Sequence, residues 1–398
     1  MSNSINRRRF LRRGFAGAAG TVIFSGSLVA DETGTQEKNI VYRTLGKTGL
    51  KVPVVSFGVM RADSPELCKA AYENGINFFD TANGYQNGNN ETMLGNLFKN
   101  WPRSSFIVET KIRPAGVTRD GLPTNQTTAE SFLESFNISL SRLQVEYVDI
   151  LLIHDVSKPD LLKHKPLISA LSRVKKEKKT RFIGFSTHNN MAGMLEAAAE
   201  LEMWDVVVAS YNFRIPNVDE MNKAISKAAQ AGIGIIAMKT LAGGGFLDKE
   251  KTKPMNTSAA IKWALSNPNI SAAIPGMTTF DHLVSNLKVL ADPVLTEAEK
   301  KDLLAIAKEP GMFCRDCKQC LASCPFNLPI PDLMRAYMYA YGYSNLKMAY
   351  ELLGQLGTGI TPCVNCKECT VNCSNNFNVR EKITDVSRIV GIPADLIT

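Results

Sequence analysis

Short apolar runs rich in β-branched residues alternate with longer amphipathic stretches between residue 40 and about residue 290. The eight runs are VPVVSFG (52–58), INFFDTA (76–82), SFIVETKI (105–112), YVDILLIH (147–154), RFIGFST (181–187), DVVVASYN (205–212), GIGIIAMK (232–239) and SAAIPGM (271–277). Each run is followed by a segment of helix length, and such repeated βα units favour a parallel sheet. Eight units over about 250 residues predict a (β/α)8 barrel across residues 40–292. The preceding stretch, VYRTLGKTGLKV, predicts a hairpin at the bottom of the barrel.

The net charge of the chain gives little reason to expect a nucleic acid as partner. The formal charge is +8, but residues 1–30 contain five arginines and no acidic residue. The remainder therefore carries 41 basic and 38 acidic residues, a balance of +3. No basic cluster interleaved with aromatic residues occurs further along, so we expect no nucleic acid partner.

The first thirty residues have the layout of an export signal. Arg7 and Arg8 precede Phe10-Leu11, a further arginine and the weakly apolar run GFAGAAGTVIFSGSLVA. This resembles a twin-arginine signal, which implies export of a folded, cofactor-loaded protein to the periplasm or another extracytoplasmic compartment. Cleavage is expected after Ala30, with residues 31–39 as a linker. The run is too short and too rich in Gly and Ser to span a bilayer, so we expect no membrane span in the mature chain. The alternative is a basic, disordered N-terminus.

Four polar residues stand at or just beyond the ends of the predicted strands. Asp80, Lys111 and His154 close the second, third and fourth runs, and Tyr85 lies in the loop after the second. Active sites of (β/α)8 barrels lie at the carboxyl ends of the strands. We therefore expect these side chains to meet. The alternative, four scattered polar residues without a common role, requires suitable residue types at four suitable positions by coincidence.

The segments around these residues, FFDTANGY, VETKI and LLIHD, resemble the aldo-keto reductases over roughly residues 40–290. The resemblance implies a barrel of aldo-keto reductase type, an oxidoreductase activity, and a catalytic tetrad of Asp80, Tyr85, Lys111 and His154. Tyr85 would protonate the developing alkoxide, because a cation favours ionisation of a phenol whose ordinary pKa is ~10. Lys111 would be that cation and Asp80 its partner. His154 would orient the carbonyl oxygen.

The same resemblance implies NAD(P)(H), although several expected contacts depart from the family pattern. Val208 replaces a usual Gln, Met238 replaces a usual aromatic residue, and no basic residue directly follows Gly276 after the last strand. NADH, NADPH and no nicotinamide therefore stay open. The cofactor-binding positions that we expect are Ser186, Thr187, Lys239, Gly276, Thr278 and Asn286.

Two further features near the predicted barrel mouth have two interpretations each. The run Gly243-Gly244-Gly245 could let backbone N–H groups approach a pyrophosphate, or it could be a flexible loop. His188 in STHNN could contact the substrate or be an ordinary loop histidine.

Eight of the nine cysteines lie in two tight clusters, which indicates metal binding rather than disulfides. CRDCKQCLASCP and CVNCKECTVNCS each contain a CxxCxxC unit with a fourth cysteine beyond it. Structural zinc needs only two CxxC pairs, whereas a 4Fe-4S cluster uses three closely spaced thiolates and a distant fourth. The expected ligands are Cys314, Cys317, Cys320, Cys324, Cys363, Cys366, Cys369 and Cys373. Cys68, in an apolar-periodic stretch, is expected to be a small buried hydrophobe.

The cysteine arrangement resembles the helical type of bacterial dicluster ferredoxin, because the spacer IPDLMRAYMYAYGYSNLKMAYELLGQL is typical of a helix. That resemblance implies two 4Fe-4S clusters with crossed ligands, Cys314, Cys317, Cys320 and Cys373 on one and Cys324, Cys363, Cys366 and Cys369 on the other. Ser374 stands where a proline is usual. We expect a helical connector at 293–310, a small ferredoxin-type domain at 311–380 and a tail at 381–398.

Three functions are compatible with these features. The first is an exported iron-sulfur oxidoreductase that reduces or oxidises a small carbonyl or alcohol and exchanges electrons with a redox partner protein. The second is an electron-transfer protein that uses the barrel as a docking scaffold. The third is an ordinary NAD(P)H reductase whose clusters are structural. A hydride carries two electrons and a 4Fe-4S cluster normally one, and no flavin site is evident to connect them.

Overall fold

The computed structural model describes residues 39–118, 120–357, 363 and 366–397. The predicted export signal and all but the last residue of the predicted linker lie outside this range. The chain divides into two compact units. The first contains the described residues up to Ser210, together with Met221–Met238 and Leu265–Val294, and the second contains Tyr211–Glu220, Lys239–Ala264 and the residues from Leu295 onward.

The first unit is built on eight parallel strands whose order in the sheet follows their order in the chain. The strands are β3 (Phe57–Gly58), β4 (Phe78–Asp80), β5 (Ile107–Ile112), β6 (Val148–Ile153), β7 (Thr180–Thr187), β8 (Val206–Ser210), β9 (Gly234–Met238) and β10 (Ile270–Ala273). The two edges meet, because Ser56 N donates to Ala273 O at 2.9 Å and Ala273 N donates to Val54 O at 2.8 Å. Each predicted apolar run contains or overlaps one strand, and the (β/α)8 fold is confirmed.

The predicted hairpin is present and closes the bottom of the barrel. Strands β1 (Tyr42–Thr44) and β2 (Lys51–Pro53) pair antiparallel. Leu45, Leu50 and Val52 reach the apolar interior. Lys47 N donates to Gly232 O at 2.6 Å, next to the start of β9. The hairpin therefore covers the end of the barrel where the strands begin.

Helices follow the strands and begin at residues whose side chains cap them. Ser64, Thr128 and Thr279 each accept a hydrogen bond from a backbone N–H in the first turn of the helix that follows. The helices wholly within the first unit are Pro65–Glu73, Asn89–Phe98, Ala129–Leu143, Pro159–Leu162, Lys165–Lys176, Met191–Leu201 and Phe280–Ala291. Val218–Gln230 begins in the second unit and continues into the first.

The barrel interior is a packed apolar core rather than a channel. Its members include Phe78, Ile107, Ile150, Leu152, Val206, Val208, Ile236 and Met238. They come from alternate positions of their strands, as expected when successive side chains point to opposite faces. Polar side chains that share this inward face therefore lie in an apolar environment.

The buried carboxylate of Asp149, near the start of β6, forms hydrogen bonds with three groups from other parts of the chain. Asp149, which is 1% exposed, accepts hydrogen bonds from Val108 N at 3.0 Å and from the guanidinium groups of Arg103 and Arg181 at 2.7 Å each. Two cations and a backbone donor thus compensate one buried charge.

The second unit contains more of the chain than the predicted ferredoxin-type domain. Its helices are Thr257–Leu265, Glu297–Ala307, Ile330–Tyr337, Leu346–Leu356 and Val379–Ser387. The segments after β8 and β9, which we assigned to the barrel, belong to this unit. The physical reason is apolar packing, because Met255, Ala259 and Ala260 form a core cluster with Leu303, against which Phe213, Leu241, Leu247, Trp263, Leu295 and Ile306 pack.

Two further boundaries in the second unit differ from the predicted ones. The spacer is two helices rather than one, since a π-turn at Met338–Gly342 and Ser344 at φ 51° interrupt it before Asn345 caps the second helix. The predicted tail is not separate, because Ile383, Val386 and Ile389 are buried in the core around the cysteines.

Candidate functional site

Three strand ends bring the predicted tetrad together in the first unit. Lys111 Nζ donates to Asp80 Oδ1 at 2.5 Å, to Asp80 Oδ2 and to Thr81 O at 2.9 Å. The Lys111 side chain is 1% exposed and that of Asp80 is 4% exposed. Burial alone would lower the pKa of Lys111, but Asp80, Tyr85 and Glu109 outweigh it and raise this pKa. Lys111 is therefore a cation in the resting site.

Tyr85 is fixed above this pair by the loop that carries it. Its ring centroid lies 5.4 Å from Lys111 Nζ. The loop is held by Asn83 N, which donates to Lys111 O at 3.0 Å, and by Arg142 Nη1, which donates to Asn83 O at 3.0 Å. Gln86 continues the loop at φ 50° and donates to Met60 O and Ala62 O. The phenol is thus positioned by backbone contacts rather than by packing alone.

His154 completes the tetrad as a neutral imidazole. Its ring meets that of Tyr85 edge to face, with the centroids 5.8 Å apart. Burial, Lys111 and Arg113 hold the pKa of His154 well below its ordinary value. A neutral ring beside the phenol can donate one hydrogen bond to a substrate oxygen without carrying a charge of its own. The structure therefore brings all four predicted residues together.

Glu109 is a member of this site that the sequence analysis did not identify. Its side chain is 0% exposed, and Oε1 lies 3.8 Å from Lys111 Nζ. Neither carboxyl oxygen has a hydrogen-bond partner within the described residues. The signal was present in VETKI, because residues two apart on a strand share a face.

His188 contacts a charged residue, Asp155, at the edge of the tetrad. His188 Nδ1 lies 2.9 Å from Asp155 Oδ1, and Arg113 Nη2 lies 2.7 Å from Asp155 Oδ2. Although burial opposes it, contact with His188 and Arg113 holds the pKa of Asp155 well below its ordinary value. His188 therefore belongs to an ion-pair network next to His154 rather than to an isolated loop.

The predicted nucleotide contacts on β7 are already used within the loops. Ser186 Oγ accepts from Asp155 N at 3.0 Å, and Thr187 Oγ1 donates to Asn189 O at 2.9 Å. Both residues are fully buried. Because successive strand residues face opposite sides, only one of the two faces the barrel interior. Val208 and Met238, the other departures from the family pattern, belong to the apolar core.

The three predicted cofactor-binding residues after β10 all belong to the first unit. Gly276 pairs with Gly58 in an isolated parallel bridge. Thr278 N donates to His282 Nδ1 at 3.3 Å. Asn286 is buried on the helix Phe280–Ala291.

Lys239 and the glycine run belong to the second unit. Lys239 Nζ lies 5.5 Å from the ring centroid of Tyr343 and 5.9 Å from that of Tyr339. Gly244 has φ 119°, and a Cβ there would lie 2.8 Å from Gly342 O. The run is therefore a site of close backbone packing, which neither of our two interpretations anticipated.

The eight clustered cysteines line two cavities of the second unit, four in each. The first cavity is lined by Cys314, Cys317, Cys320 and Cys373. The second is lined by Cys324, Cys363, Cys366 and Cys369. This grouping agrees with the crossed ligand sets that the ferredoxin resemblance implies. Cys317 and Cys369, one from each set, are exposed.

The cysteines fit a cluster better than a single ion. Among the described residues, no three Cys, His, Asp or Glu side chains converge closely enough to hold one metal ion. Zinc requires four ligands at ~2.3 Å from one centre. Thiolates that surround a cavity instead suit an iron-sulfur cubane, in which each cysteine binds a different iron.

Two backbone N–H groups and one hydroxyl lie within hydrogen-bond distance of cysteine sulfurs in the first cavity. Asp316 N donates to Cys314 Sγ and Asn375 N donates to Cys373 Sγ, both at 3.4 Å. Ser374 Oγ lies 3.1 Å from Cys317 Sγ. An iron-bound thiolate is only an acceptor, so the Ser374 hydroxyl would donate to it. Such hydrogen bonds tune the potential of a cluster.

Cys68 has a different environment from the eight clustered cysteines. It is 0% exposed on the helix Pro65–Glu73. Burial raises the pKa of its thiol to about 12. It packs as the small buried hydrophobe that we predicted.

Comparison with known proteins identifies both parts of the chain. Residues 56–259 match the aldo/keto reductase family, and residues 313–378 match the 4Fe-4S dicluster domain. L-galactose dehydrogenase of Arabidopsis thaliana is 30% identical over 292 residues, which cover 64% of this chain and 89% of the relative. An aldo-keto reductase of Alternaria alternata is 28% identical over 262 residues, 56% of this chain and 71% of that one.

The fold has close relatives among solved structures. The holo form of an aldo-keto reductase from Bacillus halodurans matches with a TM-score of 0.54 at 20% identity, over 67% of this chain and 96% of that one. Within the described residues no helix is both long and apolar enough to cross a membrane.

Proposed function

Because the chain belongs to the aldo/keto reductase family, we propose that it interconverts a small carbonyl and its alcohol at Tyr85 and exchanges the electrons of that reaction with two 4Fe-4S clusters. The observation that carries the proposal is the coexistence of two complete sets of groups in one chain. The tetrad converges at the strand ends, and eight cysteines line two cavities in sets of four.

The four tetrad side chains have distinct roles in this reaction. Tyr85 gives its proton to the developing alkoxide, or takes the proton of an alcohol in the reverse direction. Lys111, held as a cation by Asp80, favours the phenolate that remains. His154, uncharged at neutral pH, donates a hydrogen bond to the carbonyl oxygen and orients it.

The cysteines supply the second half of the proposal. When bound, the clusters accept or give single electrons. Cys314, Cys317, Cys320 and Cys373 would hold the first cluster, and the other four cysteines the second. Since each set includes one exposed cysteine, each cluster would lie near enough to the surface to exchange electrons with a redox partner protein.

The substrate class that we propose is a sugar or a similar polyhydroxylated aldehyde or alcohol. Support comes from L-galactose dehydrogenase, the relative whose length this chain covers to 89%. L-Galactose is therefore the first compound to test, followed by other aldoses and simple aldehydes.

An NAD(P)H-dependent reductase with structural clusters is the second candidate, and the family relationship favours it. Two observations weigh against it. Val208 and Met238 line an apolar core where polar and aromatic contacts are usual, and the Ser186 hydroxyl already accepts a bond from Asp155 N. Ser186, Thr187, Lys239, Gly276, Thr278 and Asn286 are the positions at which a nicotinamide cofactor would bind under this alternative.

We also propose export by the twin-arginine route, which rests on Arg7, Arg8 and the apolar run that follows them. Folding and cluster insertion before export suit that route. Replacing both arginines by lysine should leave the precursor in the cytoplasm. Periplasmic recovery of that variant at the wild-type level would refute the assignment.

The test compares two variants of the mature protein purified under anaerobic conditions. Tyr85→Phe should abolish interconversion of the carbonyl and alcohol forms of the substrate and keep the full iron content, because Tyr85 belongs to the first unit and the cysteines that line both cavities belong to the second. Cys317→Ser should lose close to one cluster. Turnover with a redox dye as electron acceptor supports the proposal, whereas turnover with NADP⁺ alone favours the second candidate. Retained turnover in Tyr85→Phe would contradict both.

A further inference from the structure

The strand that carries Lys111 also carries a carboxyl group in a layer of the barrel that is otherwise apolar. Glu109 and Lys111 are two residues apart on β5, so both side chains face the interior and Glu109 lies one layer deeper. Its partners across the sheet are Asp80 on β4 and Ile150 on β6. Branched apolar residues normally fill such a layer. A carboxyl group there calls for an explanation.

A structural ion pair does not explain Glu109. Asp80 already contacts Lys111 Nζ with both of its oxygens. Glu109 Oε1 stays 3.8 Å from the same nitrogen, and neither of its oxygens accepts a hydrogen bond within the described residues. An ionised carboxylate without donors is very costly in an apolar core. The protonated acid is the form that this environment favours.

The net effect of burial and of the charges around Glu109 also favours its protonated form. Burial, followed by the charge of Asp80, raises the pKa of Glu109, and Lys111 opposes them only in part, so the pKa is about 8. The neighbour on β6, Ile150, is apolar and adds no charge. Below pH ~8 the site therefore contains Asp80 as an anion, Lys111 as a cation and Glu109 with its proton.

We propose that Glu109 is the proton store of the active site and acts through Lys111. When Tyr85 gives its proton to the alkoxide, Lys111 passes a proton to the Tyr85 phenolate and Glu109 passes its proton to Lys111. The sum is the conversion of an alkoxide and a carboxylic acid into an alcohol and a carboxylate. Tyr85 and Lys111 end in their starting forms, and Glu109 later recovers a proton from solvent. In the oxidation direction the same chain carries the proton of the alcohol to Glu109 after this carboxyl group has released its own proton to solvent.

A stored second proton is needed if the electrons come from iron-sulfur clusters rather than from a hydride donor. Reducing a carbonyl to an alcohol consumes two electrons and two protons, and a hydride delivers one of the hydrogens together with the electron pair. Electrons from a cluster carry no proton. A site that holds one proton on Tyr85 and one on Glu109 contains both of these protons. The need for two protons rests on the proposed function, whereas proton transfer from Glu109 through Lys111 does not.

The first test needs no turnover. Infrared difference spectra of the iron-loaded protein should show the carbonyl stretch of a protonated carboxylic acid at pH 7, lost in Glu109→Gln and disappearing in the wild type as the pH rises through about 8. An ionised Glu109 at pH 6 would overturn the inference. Because this band does not depend on substrate, it separates failure of the proton store from failure of the proposed function.

The second test is the pH dependence of carbonyl reduction with reduced methyl viologen as electron donor. Glu109→Gln should lower kcat at pH 7 by at least about tenfold with KM changed less than twofold, since loss of general acid–base catalysis costs about 10²–10⁴. The wild-type decline in kcat above pH 8 should be absent in the variant. Glu109→Leu, which fills the layer with an apolar side chain, provides a folded control if the amide destabilises the core. A merely structural role predicts unchanged pH profiles in both variants, and that result would refute the inference.

Discussion

Replacing Lys111 by methionine is expected to destabilise the first unit as well as to abolish activity. The substitution keeps most of the length of the side chain and removes the ammonium group. In the wild type, Lys111 contacts both carboxyl oxygens of Asp80, whose side chain is 4% exposed. The substitution removes this cation from Asp80. Glu109 lies deeper and stays protonated, because loss of the cation raises its pKa further. The buried charge that loses its cation is therefore that of Asp80.

The magnitude follows from the burial of the pair. Removing one partner of a buried ion pair costs ~3–5 kcal/mol, because the other charge is left without compensation. Asp80→Asn combined with Lys111→Met removes both charges. We expect the double variant to recover roughly half of the lost stability, since an amide is less costly to bury than a carboxylate.

Urea unfolding of the anaerobic, iron-loaded protein measures these differences. Trp101 and Trp204 lie in the first unit and Trp263 in the second, so tryptophan fluorescence in a Trp263→Phe background follows unfolding of the first unit, with far-ultraviolet circular dichroism as a second probe. Lys111→Met should lower the midpoint well below that of the double variant. A cost below ~1 kcal/mol for Lys111→Met, or a double variant less stable than the single one, would contradict the charge argument.

Three further outcomes are expected. Ser374→Ala should lower the midpoint potential of the cluster bound by Cys317, by about 40 mV for each ~1 kcal/mol of lost preference for the reduced state in a one-electron couple; an unchanged potential in an EPR-monitored titration would disprove the hydrogen bond to sulfur. Gly244→Ala should lose iron and lower thermal stability, because φ 119° and the approach of Gly342 O exclude a Cβ, whereas wild-type iron content would show that the loop can adjust. Asp149→Asn should cost ~1.5–3 kcal/mol in urea unfolding, since the partly exposed Arg103 and Arg181 lose a charged hydrogen-bond partner, and a cost below ~0.5 kcal/mol would show that they do not depend on it.

The strand ends that carry the tetrad could be predicted because a polar residue stands at or near the end of the second, third and fourth apolar runs. Asp80 and Lys111 close their runs, and the geometry of a parallel barrel then brings them together without further information. Glu109 was missed although it lies in the same run. A polar residue inside a strand normally indicates an outward position, and only the register of β5 with β4 and β6 shows that it faces inward.

The limits of the second unit could not be predicted from local patterns. The segments Tyr211–Glu220 and Lys239–Ala264 follow β8 and β9 in the chain as ordinary barrel loops do. Their assignment depends on long-range packing of Met255 and its neighbours with Leu303. The glycine run has the same explanation, because the constraint on Gly244 comes from Gly342, almost a hundred residues away in sequence.

The cysteine sets were more predictable, because two CxxCxxC motifs, each with a fourth cysteine beyond it, resemble those of dicluster ferredoxins. That resemblance implies that the two motifs exchange their fourth cysteines. The cavities contain these exchanged sets, with Cys373 in the first and Cys324 in the second.

In the proposed reaction, turnover at Tyr85 moves electrons to or from the clusters. A direct test adds L-galactose, and then the other sugars and aldehydes in turn, to the oxidised anaerobic protein without nicotinamide and follows the visible and EPR spectra of the clusters. The compound that is turned over should reduce the clusters in the wild type and leave them oxidised in Tyr85→Phe. Clusters that stay oxidised while Tyr85-dependent turnover proceeds with NADP⁺ would refute the proposed electron transfer.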